Sequence, residues 1–130
     1  ASGTIDVAAF NQILDLDDDD TNYACSKDMF AVYFAQAPAA FKGMDSALAA
    51  TDLRGLADLA HFLMGSSATL GIVRVAGSCA RMEGVGEASR SRNAPADAAA
   101  LAQLGALLTE VKREYADAET WLRRWYAEHG

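Results

Sequence analysis

From Leu101 to Trp125 the chain carries an unbroken apolar seam, Leu101, Leu104, Leu108, Val111, Tyr115, Ala118, Leu122 and Trp125. Steps of three and four residues keep such positions on one face of an α-helix. A seam of that length commits the last quarter of the chain to one long helix that must bury its stripe against other elements. Three further stretches repeat the pattern. Between about Tyr23 and Ala50 it runs through Phe30, Phe34, Ala37, Phe41, Met44 and Leu48, with Pro38 placed to bend the helix. A third run, Leu53, Leu56, Ala60, Leu63, Ser67 and Leu70, starts after Thr51 or Asp52 as N-cap and stops at Gly71. The fourth starts near Ile72, turns Ile72, Val75, Cys79 and Met82 inward, and fades in "EGVGEASRSRNAP", the most loop-like stretch of the chain. Pro95 then suits the first turn of the last helix.

Ahead of these, "IDVAAFNQIL" predicts a short helix capped by Thr4 and ending near Asp15. The following "LDLDDDDTN" reads as a loop or helix start. With 130 residues, half of them apolar, one core can form, and residues 1–130 are read as a single domain. Few β-branched residues and two prolines favour helices. The expected architecture is all-α: an antiparallel four-helix bundle with an additional short N-terminal helix as a lid across one end.

Charge and composition remove several functions. Eighteen acidic residues against eleven basic ones give a net charge of −7, and no Lys/Arg stripe follows a phosphate backbone, so no nucleic-acid partner is expected. No apolar run approaches the ~20 residues of a membrane span, and "ASGTIDVAAF" lacks the pattern of a signal peptide, so no membrane partner is expected either. The expected setting is cytoplasmic, with nuclear residence equally open to a chain of this size. Cys25 and Cys79 form no CxxC or Cys/His cluster and are read as reduced thiols. The alternating Asp15, Asp17 and Asp19 suggest a calcium loop, but Asp20 replaces the glycine needed at its sixth position and Ser26 the glutamate at its twelfth. Asp58 and His61 are three apart, as in metal-binding bundles, but no matching set occurs on another helix. No metal site is assigned.

The stretch "LADLAHFLMGSSATLG", residues 56–71, holds the candidate chemistry. At about 100° per residue, His61 falls well away from the centre of the third seam and faces solvent. Its neighbours on that side, Arg54, Asp58, Gly65 and Ala68, are polar or very small. Glycine inside a helix costs roughly 0.5–1 kcal/mol relative to alanine, and Gly65, one turn beyond the histidine, would leave room for another macromolecule to reach the imidazole. Spacing alone favours an ordinary exposed histidine and a tolerated glycine.

"HFLMGSSATLG" followed by "VRVAGSCARME" resembles the signature of the histidine-containing phosphotransfer proteins, whose usual run is His-x-Leu-Lys-Gly-Ser-Ser-x-x-Leu-Gly. "LDLDDDD" and "SKDMFAVYFAQA" are similar to the fungal branch of that family. The likeness runs from about Phe10 to Gly86, and the last helix matches in character. The resemblance implies a phosphorelay intermediate. His61 would accept a phosphoryl group from an aspartate of one receiver domain and pass it to an aspartate of a response regulator. Histidine suits the task, since one ring nitrogen can attack while the other keeps its proton, and a covalent intermediate splits one transfer into two. Glu83 stands where the family has a Glu or Gln that orients the imidazole. Gly65 gives access and Ser66 completes the Gly-Ser step.

The resemblance also implies no cofactor of the chain's own, the divalent metal belonging to the acidic pocket of the receiver. It implies partners among the receiver domains of a hybrid sensor histidine kinase and of response regulators, and a monomer. Ile13, Leu14, Phe62 and Met64 are the candidate docking residues. Met64 departs from the family, which has lysine there, and a slower transfer is expected. Arg54 is a distant substitute for the missing charge. No Gly-rich nucleotide loop occurs, so the chain reads as a carrier rather than a kinase. A scaffold that binds receivers without efficient transfer is the alternative that Met64 motivates, and an adaptor unrelated to phosphorelay is a third.

Overall fold

The computed structural model describes residues 5–15, 23–91 and 98–129. Among these residues five helices follow one another: α1 Val7–Leu14, α2 Ala24–Ala49, α3 Leu53–Thr69, α4 Val73–Ser91 and α5 Ala98–His129. No strand occurs among the described residues. The four long helices pack antiparallel, with α3 against α2 and α4, and α4 against α5. Their seams meet in one core. Phe30, Tyr33, Ala37, Phe41 and Met44 of α2 face Leu56, Ala60 and Leu63 of α3, Val75, Cys79 and Met82 of α4, and Leu104, Leu108, Val111, Tyr115 and Leu122 of α5.

The interhelical turns show why the chain breaks where it does. Asp52 is the N-cap of α3, its carboxylate accepting from Gly55 N at 2.9 Å. At the other end of α3, Gly71 takes φ +77°, in the left-handed region that glycine enters freely. A side chain at 71 would also meet Ala9 Cβ at 3.0 Å, because α1 lies directly over this turn. Asp6 N donates to Gly71 O at 2.8 Å and fixes that crossing. Inside α2, Pro38 removes the amide that would have bonded Phe34 O, and the Tyr115 hydroxyl of α5 stands 3.5 Å from that carbonyl.

Two boundaries differ from the sequence expectation, and two expected features fall beyond the described residues. The cap of α1 is Asp6, whose carboxylate accepts from Ala9 N at 3.2 Å, rather than Thr4, which lies outside the described residues. The stretch 83–91, read as loop for its glycines and serines, continues α4. Met82 and Gly86 are buried and Val85 packs against the core, so tertiary contact overrides weak helix propensity there. Pro95 and the aspartates of 17–20 lie outside the described residues.

α1 closes the end of the bundle formed by the start of α2, the α3–α4 turn and the last turns of α5. Phe10 anchors it, packing edge-on against Trp121 and Trp125 with ring centroids 5.3 and 5.0 Å away.

Candidate functional site

α3 and α4 approach closely because α4 has Gly86 at their contact, where a Cβ would stand 3.0 Å from Ala57 Cβ. One turn along, the two helices present His61 and Glu83 to each other. His61 Nδ1 lies 2.8 Å from Glu83 Oε2. The imidazole is 67% exposed and the carboxylate 29%. A carboxylate can only accept a hydrogen bond, so Nδ1 carries the proton and donates it to Glu83. The lone pair is then on Nε2, the nitrogen on the far side of the ring. The pair therefore fixes both the orientation and the tautomer of an exposed imidazole.

Nothing lies within 4 Å of where a Cβ on Gly65 would stand. No neighbour within the fold demands glycine there, which leaves its helical cost unexplained by internal packing. Gly65 and Ser66 border a groove of about 470 Å³ between α2 and α3, with Val32 and Gln36 on its other wall. Gln36 also borders a smaller depression against Leu59 and Phe62. Phe62, beside the histidine, is 47% exposed and Val32 is 55% exposed.

The expected docking residues are divided by the structure. Phe62 lies on the exposed surface beside His61, and Met64 and Leu14 are half-buried against the core. Ile13 is a correction: it is buried, 7% exposed, and inside the core cluster, so its side chain is not available to a partner. On an eight-residue helix the inward positions Phe10 and Ile13 are three apart, and only packing shows which apolar residues they are. Val32 and Gln36, which line the groove, were not singled out by the sequence reading. Their signal was an apolar side chain, Val32, placed off the α2 seam. Arg54 is exposed two turns before His61. Among the described residues no group of three or more His, Cys, Asp or Glu side chains is arranged to hold a metal ion. Cys25 and Cys79 are free thiols, the first exposed and the second buried.

The described residues thus form a helical bundle that displays a carboxylate-oriented imidazole on its surface. A model of the Hpt domain matches residues 28–114, and the chain belongs to this family of histidine phosphotransfer domains. It is 37% identical over 126 residues to multistep phosphorelay regulator 1 of Schizosaccharomyces pombe, covering 94% of this chain and 42% of that protein. It is 33% identical over 85 residues to the phosphorelay intermediate protein YPD1 of Candida albicans, 65% of this chain and 45% of the relative. The chain thus spans about half the length of the curated relatives it matches. Among solved structures it superposes on the Saccharomyces cerevisiae histidine phosphotransfer signaling protein Ypd1, crystallised with the receiver domain of its downstream response regulator Ssk1. That match has a TM-score of 0.83 at 27% identity and covers 98% of this chain and 97% of that one. A crystal structure of yeast Ypd1p alone matches with the same TM-score at 25% identity. Within this chain no described helix is long and apolar enough to cross a membrane.

Proposed function

We propose that the chain carries a phosphoryl group on His61 between receiver domains of a multistep phosphorelay. The observation that carries this reading is the pairing of His61 Nδ1 with Glu83 Oε2 at 2.8 Å on an imidazole that is otherwise open to solvent. His61 Nε2 attacks the phosphorus of an aspartyl phosphate; the N–P bond forms as the bond to the aspartate oxygen breaks, and the carboxylate leaves. Nδ1 keeps its proton, donated to Glu83, and the Glu83 carboxylate balances the positive charge that develops on the ring. In the second half the carboxylate of another receiver attacks, and the neutral imidazole returns. Catalysis of this kind is mostly positioning and charge neutralisation. A divalent metal in the receiver's acidic pocket would supply the neutralising charge, and the carrier contributes an aligned nucleophile and an unobstructed approach.

The proposed partners are receiver domains of a hybrid sensor kinase and of response regulators, met by a monomeric carrier in the cytoplasm or nucleus. The Ypd1–Ssk1 co-crystal supports the pairing of such a bundle with a receiver. Phe62 supplies exposed apolar surface beside the histidine, and Val32 supplies more across the groove that Gly65 and Ser66 border. A net charge of −7 against an acidic receiver pocket makes apolar contact, rather than attraction between net charges, the natural source of affinity. Met64 in place of lysine favours a second reading, a scaffold that binds receivers without efficient transfer.

Radiolabel transfer from a phosphorylated receiver decides between them. Label on the unaltered chain and none on His61→Gln supports the carrier. Receiver binding without label on either chain overturns the carrier and leaves the scaffold.

A further inference from the structure

Ser78 and Glu83 leave α4 in different directions. Ser78 is fully buried, and its hydroxyl donates to Glu114 Oε1 of α5 at 2.5 Å. Glu114 is itself buried, 7% exposed. Arg81 Nη2 donates to the same Ser78 oxygen at 3.0 Å and stands 3.9 Å from Glu110 Oε1, which closes the contact on its outer side. Glu83 points instead to His61 of α3. Five residues apart on a helix, Ser78 and Glu83 are separated by about 140° around the axis. They flank the apolar seam Val75, Cys79 and Met82 on opposite sides.

That seam packs α4 closely against its neighbours, but the glycines at 77 and 84 meet nothing within 4 Å, and apolar contacts, being non-directional, tolerate small rotations. A buried polar contact does not, because a small slip leaves a carboxylate without its donor; fixing register is the best-attested use of such contacts. Roll matters at the site. With a carboxylate roughly 6 Å from the axis, a rotation of about 20° moves it about 2 Å, far beyond the range over which a hydrogen bond survives.

We propose that Glu114, acting through Ser78, is a positioning residue for the His61–Glu83 pair: it sets the roll of α4 and thereby keeps Glu83 Oε2 on His61 Nδ1. The contact lies on the α4–α5 side of the bundle and touches neither the imidazole nor its approach. Its effect on transfer rests on the carrier reading; its effect on the imidazole does not.

The test uses the full chain, labelled with ¹⁵N, and reads the His61 tautomer from the ring nitrogen shifts and couplings, alongside the melting temperature and transfer from a phosphorylated receiver. The double substitution Ser78→Ala with Glu114→Leu replaces both polar partners and leaves no orphaned charge. It is expected to keep the fold, to turn the Nδ1–H form of His61 into a mixture of tautomers, and to slow transfer by roughly tenfold or more. Glu114→Gln, whose amide oxygen still accepts from Ser78, is expected to retain the unaltered tautomer and rate. Ser78→Ala alone, expected to mix the tautomers too, is read in parallel so that the roll is tested even where the double variant does not fold. Retention of the unaltered tautomer in every folded variant lacking the Ser78–Glu114 contact overturns the assignment, as does its loss in Glu114→Gln. If the unaltered chain takes no phosphoryl group at all, the carrier reading fails, and the tautomer comparison still decides the role of Glu114.

Discussion

Gly86 of α4 and Ala57 of α3 stand so close that a methyl group added at 86 would lie 3.0 Å from Ala57 Cβ and 3.4 Å from Leu53 O. This contact lies one turn from the His61–Glu83 pair, and the spacing that lets a glutamate on one helix reach a histidine on the next depends on it. Gly86→Ala gains roughly 0.5–1 kcal/mol of helix preference but overpacks a tight contact, which typically costs about 1–3 kcal/mol. A net loss of about 1 kcal/mol is expected, a fall of roughly 4 °C in melting temperature. Gly84→Ala, where the added methyl meets nothing within 4 Å, should instead raise it. Circular dichroism melts of the two variants check the pair, and equal shifts would refute the close-approach account of Gly86.

Gly65 presents the opposite case. Its Cβ position is open, so within the isolated protein Gly65→Ala should stabilise by about 0.5–1 kcal/mol. Under the proposed function the same methyl occupies the path of the incoming receiver, and Gly65→Leu occupies more of it. Transfer is therefore expected to fall in the order Gly, Ala, Leu while the melting temperature does not fall from Gly to Ala. A parallel decline of stability and transfer would assign Gly65 to packing instead.

The helices were legible because seams such as Leu104, Leu108, Val111 and Leu122 repeat without interruption, and each of these residues is buried. What remained hidden depends on neighbours in space. The helicity of 83–91 was obscured by glycines and serines that favour loops locally, whereas the packing of Met82, Val85 and Gly86 against adjacent helices sustains it. His61 and Gly65 stood out by their placement off the seam, but spacing carried no information about Glu83, twenty-two residues on. Its orientation toward the imidazole came only from the family resemblance, and its reach depends on the glycine at 86. Ile13 was misassigned because periodicity on so short a helix does not separate an inward apolar residue from an outward one.

Met64 lies one turn from His61 and is half-buried against the core, with a neutral thioether where a cation would draw the oxygens of a phosphoryl group. Met64→Lys can lay its methylenes along the same apolar surface and carry its ammonium to solvent. The expected outcome is faster acceptance from a phosphorylated receiver and a longer-lived phosphohistidine. A gain of roughly threefold to tenfold corresponds to about 0.7–1.4 kcal/mol, the size of an exposed charge interaction. Decay of label on the variant and the unaltered chain, followed side by side, measures it; identical decay would show that the cation does not govern the phosphorylated state.

Alkaline pH should weaken the fold, and the sign follows from three buried groups. Burial pushes the Cys79 thiol up to about 12, with Glu114 adding to the effect, and pushes the Tyr115 phenol up to about 12, with Glu119 adding. Burial also raises Tyr33 strongly. The folded state thus holds protons that the unfolded chain releases from about pH 9 for a thiol and about pH 10 for a phenol. Stability from these groups is fully present below pH 9 and is lost progressively as pH rises toward 12. The urea midpoint is expected to be level between pH 7 and 9 and to fall above that; a level midpoint up to pH 11 would refute the assignment. The same burial makes Cys79 inert, since the thiolate is the reacting form. Iodoacetamide at pH 8 should therefore modify the exposed Cys25, and a Cys25→Ser chain should take up reagent only after denaturation.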